Sequence, residues 1–208
     1  MLIKYIRPTL WIILITSCYT SVITNSWKSQ ALPAKPYSKI LVVALVKKED
    51  RFLRESIENH LVGDLSERGF TAISSLKEYG PTSFEGLTES SVLNKIEKSG
   101  IDAVLTIVLL NKEKEKYYVP GRVYYTPYTI YHRRFWGYYS TVYDRIYEPG
   151  YYSVDTKYFW ESNFYNMDSK ELIYSVQTKS FNPSSTQSLS HEYGKMICAD
   201  MVSNGIIK

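Results

Sequence analysis

Cys18 is the side chain whose surroundings point most directly to a chemical event. It ends the apolar run Leu10–Cys18, and the basic residues Lys4 and Arg7 stand in front of that run. A basic start, an apolar middle and small residues before a cut are typical of a secretory signal. A membrane span needs about 20 apolar residues, and this run is shorter and bounded by polar residues. A buried core strand would not explain the basic start. We therefore expect residues 1–17 to be removed during export.

The residues around the expected cut, Ile15 to Cys18, resemble the lipobox of bacterial lipoproteins. In that family the chain is cut just before the cysteine, whose sulfur and new amino group receive acyl chains such as palmitate. The resemblance implies that Cys18 is the lipid-attachment residue. Tyr19 is not the aspartate that often retains lipoproteins at the inner membrane, and residues 19–26 hold no acidic cluster of a surface-export signal. The expected location is the outer membrane, facing the periplasm.

The charge and cysteine content give no further class of function. Lys plus Arg number 25 and Asp plus Glu number 21, a formal net charge of +4, which falls to about +2 once the signal is lost. This balance gives no reason to expect nucleic acid or an acidic partner. Of the two cysteines, an acylated Cys18 leaves Cys198 without a partner, so no disulfide framework is expected. Cys198 is expected to be a small core residue.

Two periodic segments early in the chain predict a mixed α/β fold. The apolar run Lys39–Val46 is typical of a strand covered on both faces, and apolar residues then recur every four residues in 50–68, as on one face of a helix. The chain as a whole predicts a strand at 39–46, a helix at 50–68, a strand at 70–76, a helix at 88–99, a strand at 101–110, a hairpin at 154–164 and 172–179, and a helix at 185–204. The predicted fold class is α/β (α+β), a mixed five-stranded sheet in the order β-α-β-α-β-β-β-α.

The expected organisation is a signal, a tether and one domain. Residues 18–37 contain prolines and polar residues and are predicted to be a tether, with room for a short edge strand at 23–27. Residues 38–208 form the predicted domain. A tyrosine-rich excursion at 117–152 interrupts it between the third and fourth strands, because prolines and glycines break any long period there.

The predicted element order, beginning with Lys39–Leu45 and the helix at 54–69, resembles the small α/β domain of periplasmic lipoproteins such as CsgG and LpoB and of the N-terminal part of TolB. Members of that group bind other envelope proteins, form assemblies or regulate cell-wall enzymes, and the domain itself is not known to catalyse. The resemblance implies a non-catalytic role, and it transfers no functional residues.

Catalytic and metal-binding patterns are missing from the sequence. The three histidines, His60, His132 and His191, lie far apart in the sequence and are expected on the surface or on helix faces. The turn after the first predicted domain strand has no glycine for a phosphate loop. Glu55 and Glu58 are interpreted as a solvated helix face. We predict no enzyme activity, no cofactor and no metal.

The tyrosine-rich excursion is the other candidate site. Tyrosine offers a large amphipathic contact area at low entropic cost, and arginines alternate with the aromatics. The candidate partner-binding residues are Tyr124, Tyr125, Tyr128, Tyr131, Arg133, Arg134, Trp136, Tyr138 and Tyr139. Three interpretations stay open: tyrosines that pack on each other or on the domain, a surface for an envelope protein or for self-association, and a glycan-binding or glycan-processing cleft. A glycan-processing site needs two convergent carboxylates, and the nearby supply is Asp144, Glu148, Asp155 and Glu161.

Overall fold

The computed structural model describes residues 20–30, 32, 36–82, 84, 86–120 and 151–208. Its strands are β1 (Ser21–Lys28), β2 (Lys39–Leu45), β3 (Thr71–Ser74), β4 (Ala103–Val119), β5 (Tyr151–Asn166) and β6 (Leu172–Phe181). Its helices are α1 (Arg51–Glu67), α2 (Ser75–Tyr79), α3 (Glu89–Lys98) and α4 (Thr186–Ser203), and a short 3-10 turn at Lys48–Asp50 leads into α1.

The described strands form one mixed sheet in the order β1-β6-β5-β4-β2-β3. Strand β2 pairs in parallel with β3 and β4, while β4, β5, β6 and β1 pair antiparallel in succession. The mixed α/β class predicted from the sequence is confirmed. The predicted strand count is wrong, because the sheet has six strands. The predicted order of elements along the chain is also wrong, because β1 precedes the first predicted strand and the short helix α2 follows β3.

The additional strand, β1, comes from the segment 18–37 that was predicted to be a tether with room for a short edge strand at 23–27. That edge strand is confirmed, and it is longer than expected, since it spans Ser21–Lys28. Its sequence is polar, so it lacks the apolar pattern of a covered strand, and an edge strand with one exposed face does not need that pattern. The hydroxyls of Ser21 and Ser180 lie 2.7 Å apart where β1 meets β6. A second difference is that the predicted strand at 70–76 ends at Ser74, whose side chain caps the short helix α2 by accepting from the Lys77 amide.

Helices α1 and α4 cover one side of the sheet, called here the α1/α4 side. The predicted apolar stripe of α1 is buried there: Leu53 is 6% exposed, and Ile57, Leu61 and Leu65 are fully buried. Across the interface, Tyr193 of α4 packs on Trp160 of β5 with ring centroids 5.5 Å apart, and its hydroxyl lies 2.6 Å from the Ser162 hydroxyl. Alternate side chains of β5, including residues 160, 162 and 164, therefore point to the α1/α4 side.

Helix α3 covers part of the opposite side, called here the α3 side. Ile96 of α3 packs with Leu41, Val43 and Val104 of the central strands in a second, smaller apolar cluster. Val92 and Leu93 of the same helix are partly buried against this cluster. Since side chains alternate along a strand, residues 157, 159 and 161 of β5 point to this side.

Candidate interaction surface

The residues predicted to form the functional sites lie outside the described part of the chain. These are the lipid-attachment residue Cys18 and the nine candidates Tyr124, Tyr125, Tyr128, Tyr131, Arg133, Arg134, Trp136, Tyr138 and Tyr139. The structure does describe both ends of the excursion, which are strands. Tyr117 and Tyr118 lie in the last three residues of β4, and Tyr151 and Tyr152 begin β5.

Strands β4 and β5 continue as a two-stranded ribbon beyond the rest of the sheet. Strand β6 ends at Phe181, which is level with Lys157 of β5. Past that point β4 and β5 pair with each other alone, as far as Val119 opposite Tyr151. We call the ribbon Glu113–Val119 with Tyr151–Lys157 the arm. At about 3.3 Å per residue its seven β4 residues span about 23 Å.

The two faces of the arm carry opposite charges. Paired residues of an antiparallel ladder share a face, so the pairs Lys112–Tyr158, Lys114–Thr156, Lys116–Val154 and Tyr118–Tyr152 lie on the α1/α4 side. This face, including Lys112 at the base of the arm, carries three lysines and no carboxylate. The α3-side face carries Glu113, Glu115 and Asp155 with Lys157 as its one lysine. The alternation of lysine and glutamate from 112 to 116 produces this separation.

Two of the three lysines of the α1/α4-side face, Lys112 and Lys116, lie against its aromatic rings. Lys116 Nζ is 4.4 Å from the ring centroid of Tyr152, and the Tyr152 and Tyr118 ring centroids are 5.3 Å apart. Lys112 Nζ lies 5.3 Å from the Tyr158 ring and 3.1 Å from Asp50 Oδ1 at the start of α1. Tyr118 and Tyr152 are still 54% and 64% exposed. This face is therefore a cationic and aromatic surface that remains open to a partner.

On the α3-side face of the arm, a cross-strand ion pair joins β4 to β5. Lys157 Nζ lies 2.6 Å from Glu115 Oε2. The hydrogen bond from Lys157 lowers the pKa of the Glu115 carboxyl, and the same bond raises the pKa of Lys157. Both groups are solvated, so the pair holds the ribbon in register without adding much stability.

Glu58 corrects the interpretation of α1 as a helix with a solvated charged face. Its side chain is fully buried and accepts five hydrogen bonds. The donors and distances are Ala44 N at 3.0 Å, Leu76 N at 2.9 Å, Ser74 Oγ at 2.5 Å, Ser75 Oγ at 2.9 Å and Arg54 Nε at 3.2 Å. This carboxylate joins α1 to the end of β2 and to the turn between β3 and α2. A role in the fold explains all of its contacts.

The fold brings together two histidines that are far apart in sequence. His60 of α1 and His191 of α4 have ring centroids 5.6 Å apart. Beside them Asp64 is buried, and its Oδ2 atom has no hydrogen-bond partner among the described residues. Burial, reinforced by the Glu67 carboxylate, raises the pKa of Asp64, and burial raises the pKa of Cys198 to about 12. The expectation that Cys198 is a buried core residue is confirmed.

A cavity of about 540 Å³ opens at the carboxyl end of β2, where ligands often bind in parallel sheets. Lys47, Arg51, Arg54 and Phe84 are among its lining residues. The Arg54 guanidinium already donates to Glu58, to Ser75 Oγ and to the Pro81 carbonyl. The cavity is lined by basic residues, but the Arg54 guanidinium is already hydrogen-bonded within the domain.

The carboxylates described near the aromatics do not converge. Asp155 and Glu161 both point to the α3 side, but six residues separate them on β5, which is about 20 Å. Paired glycosidase carboxyls lie about 5–9.5 Å apart. Glu161 instead accepts hydrogen bonds from Gln177 and Asn163, which lower its pKa. Asp155 and Glu161 do not form the pair that a glycan-processing site needs, and Asp144 and Glu148 lie outside the described residues.

The described residues hold no group of three or more His, Cys, Asp or Glu side chains placed to bind a metal ion. Within the described ranges, none of the helices has the length and apolar character needed to cross a bilayer.

Comparison with known proteins gives partial structural matches. No protein-family model matches the chain, and no curated protein matches it. The PelC dodecamer from Paraburkholderia phytofirmans is 9% identical, over 82% of this chain and 89% of that chain, with a TM-score of 0.42. Lipoprotein GNA1162 from Neisseria meningitidis is 13% identical, over 80% and 99%, with a TM-score of 0.44. A PDZ domain protein from Parabacteroides distasonis is 6% identical, over 86% and 35%, with a TM-score of 0.39. At these identities and TM-scores the matches support no conclusion about the fold or the function of this chain.

Proposed function

We propose that the chain is a lipid-anchored lipoprotein of the cell envelope that acts as a non-catalytic binding or assembly module. It is held by acyl chains on Cys18 at the periplasmic face of the outer membrane. The order of basic, apolar and small residues before Cys18 supports the anchor. The arm and the tyrosine-rich excursion that it carries form the contact surface, and the partner is an envelope protein or a second copy of the chain.

The observation that carries the binding role is the exposure of aromatic side chains on the arm. Tyr117, Tyr118, Tyr151 and Tyr152 are 46–64% exposed on a ribbon that projects about 23 Å from the sheet. Large apolar surfaces that stay open to water are costly and usually mark interaction sites. These four tyrosines belong to neither of the two buried apolar clusters.

Photo-crosslinking from the arm tests the binding role. A photoreactive phenylalanine at Tyr151, which is 64% exposed on the α3-side face, is expected to capture a discrete partner in intact cells. Trp27 is the matched control, because it is 52% exposed on β1 but pairs with Ser175 at the other end of the sheet. Equal capture from both positions, or none from Tyr151, contradicts a binding role for the arm.

Fatty-acid labelling tests the anchor separately. The wild-type chain is expected to incorporate a labelled fatty acid, and the Cys18→Ala chain is expected to incorporate none. A wild-type chain that stays unlabelled, or a variant that is still labelled, contradicts acylation at Cys18. Protease digestion of intact cells checks the location, since a chain that faces the periplasm is protected.

A further inference from the structure

The described chain begins close to the expected lipid anchor. Thr20 is already part of the folded domain: its amide and its hydroxyl donate to Glu192 Oε2 at 3.2 and 2.6 Å, and its carbonyl accepts from the Phe181 amide at 2.7 Å. Cys18 precedes Thr20 by two residues, which span at most about 7 Å. A lipid on Cys18 would therefore hold the bilayer close to the start of β1.

The start of β1 and the arm lie at the same end of the sheet. Ser21 pairs with Ser180, Ser180 with Tyr158, and Tyr158 with Lys112, so one row of paired residues links the start of β1 to the base of the arm. With strands about 4.8 Å apart, this row is about 14 Å wide. Thr20, directly before β1, also faces the α1/α4 side, because it bonds to Glu192 of α4.

The helices do not cover the face of the arm that lies on that side. Lys112, at the base of the arm, meets Asp50 at the start of α1. Lys114, Lys116 and Tyr118 continue past this level on the same face. The cationic and aromatic face of the arm therefore lies beyond the helix layer, on the side and at the end of the domain where Thr20 leads into β1.

We infer that the α1/α4-side face of the arm rests on the anionic surface of the bilayer beside the lipid anchor. The inference rests on the proposed acylation of Cys18, which places the bilayer at this end. Lysines near such a surface are attracted by the phosphate headgroups, and tyrosines favour the boundary between headgroups and acyl chains. The same field repels the three carboxylates of the α3-side face, so the arm contacts the bilayer with one face and presents the other to the periplasm.

Vesicle binding tests the arm without relying on acylation. The full chain carrying Cys18→Ala is mixed with phosphatidylcholine vesicles that contain or lack phosphatidylglycerol. We expect binding that needs phosphatidylglycerol and falls with salt. Lys114→Gln with Lys116→Gln should weaken it about 30-fold at low salt, about fivefold for each lysine.

The matched control removes the same charge from the other side of the molecule. Lys95→Gln with Lys98→Gln changes two exposed lysines of α3, and Lys95 lies over the Tyr79 ring at 4.9 Å as Lys116 lies over Tyr152. This control should weaken binding less than threefold. Unchanged thermal melts of both double variants show that folding is intact.

Several results would overturn the inference. The inference fails if both double variants lose vesicle binding equally, if binding does not depend on phosphatidylglycerol, or if the chain carrying Cys18→Ala does not bind vesicles at all. Lipid-independent self-association that the arm variant abolishes would assign this face to a second copy of the chain. Fatty-acid labelling is a separate measurement, so a failure of the anchor is recorded independently of a failure of the arm.

Discussion

Replacing Glu58 by glutamine should destabilise the domain by about 3 kcal/mol. In the native structure Oε1 accepts from the Ala44 amide, from Arg54 and from Ser75, and Oε2 accepts from the Leu76 amide and from Ser74. Glutamine has the same shape but replaces one oxygen by an NH2 group, which donates instead of accepting. The change therefore removes acceptor capacity without opening a cavity.

The magnitude follows from the bonds that glutamine cannot make. If its oxygen takes the place of Oε1, its NH2 group faces the Leu76 amide, and a buried N–H without a partner costs about 1–3 kcal/mol. The bonds that remain on the oxygen side lose their charge assistance, which removes roughly a further 1–2 kcal/mol in total. Breaking a buried ion pair by changing one partner typically costs about 3–5 kcal/mol, and part of that is recovered because a neutral amide is less costly to bury.

Urea unfolding measures this loss directly. The midpoint should fall with little change in slope, because the surface exposed on unfolding is unchanged. Glu55→Gln on the exposed part of the same helix is the control and should change stability by less than about 0.5 kcal/mol. A loss below about 1 kcal/mol for Glu58→Gln would mean that Glu58 does not hold α1 to β2 and to the β3–α2 turn.

Two further predictions concern the contact between α1 and α4. Gly194→Ala should destabilise the domain by about 1–3 kcal/mol, because a Cβ at this position runs into the Asp64 carboxylate. Its control is Gly63→Ala in the same helix pair, where a Cβ meets open space, and this change should stabilise the domain by up to about 1 kcal/mol. Equal effects of the two changes in denaturant melts would contradict the close contact between Gly194 and Asp64. Asp64→Asn should stabilise the domain at pH 7 but not near pH 3. Burial raises the folded pKa of Asp64 above its ordinary value of 3.8, so the folded state binds more protons there and this group lowers stability as pH rises from about 3.8 through the raised pKa. The stabilities of the wild type and of Asp64→Asn, measured by melts from about pH 3 to pH 7, should diverge as pH rises. A stability difference that does not change with pH would contradict the raised pKa of Asp64.

The central strands and the two covering helices could be predicted because burial imposes a period on the sequence. The apolar run of β2 and the four-residue stripe of α1 each reflect one face that water must not reach. Strand β1 carries no such signal, since it is a polar edge strand held by main-chain pairing with β6 and by the contact of Thr20 with Glu192. The sequence therefore allowed only a short edge strand at 23–27, and its full extent at Ser21–Lys28 depends on the pairing with β6.

Buried polar residues could not be assigned from the sequence for a related reason. Glu58 lies among Arg54 and Glu55, where a helix usually meets water, and its burial depends on β2 and the β3–α2 turn ending at the same place. The contact between His60 and His191 likewise exists only because α1 packs on α4. Such contacts join segments far apart in the chain and leave no local pattern.

The arm shows what alternation in a charged segment can encode once its strand is known. From Lys112 to Lys116 lysine and glutamate alternate, and a period of two separates the charges onto opposite faces. The irregularity between Leu109 and Asn111 shifts the register by one residue, and this shift decides that the lysines point to the α1/α4 side. Without it they would point to the α3 side, away from the anchor. The bilayer contact inferred for the arm therefore depends on one extra residue in β4. Deleting Leu110 should reverse which face of the arm binds anionic vesicles.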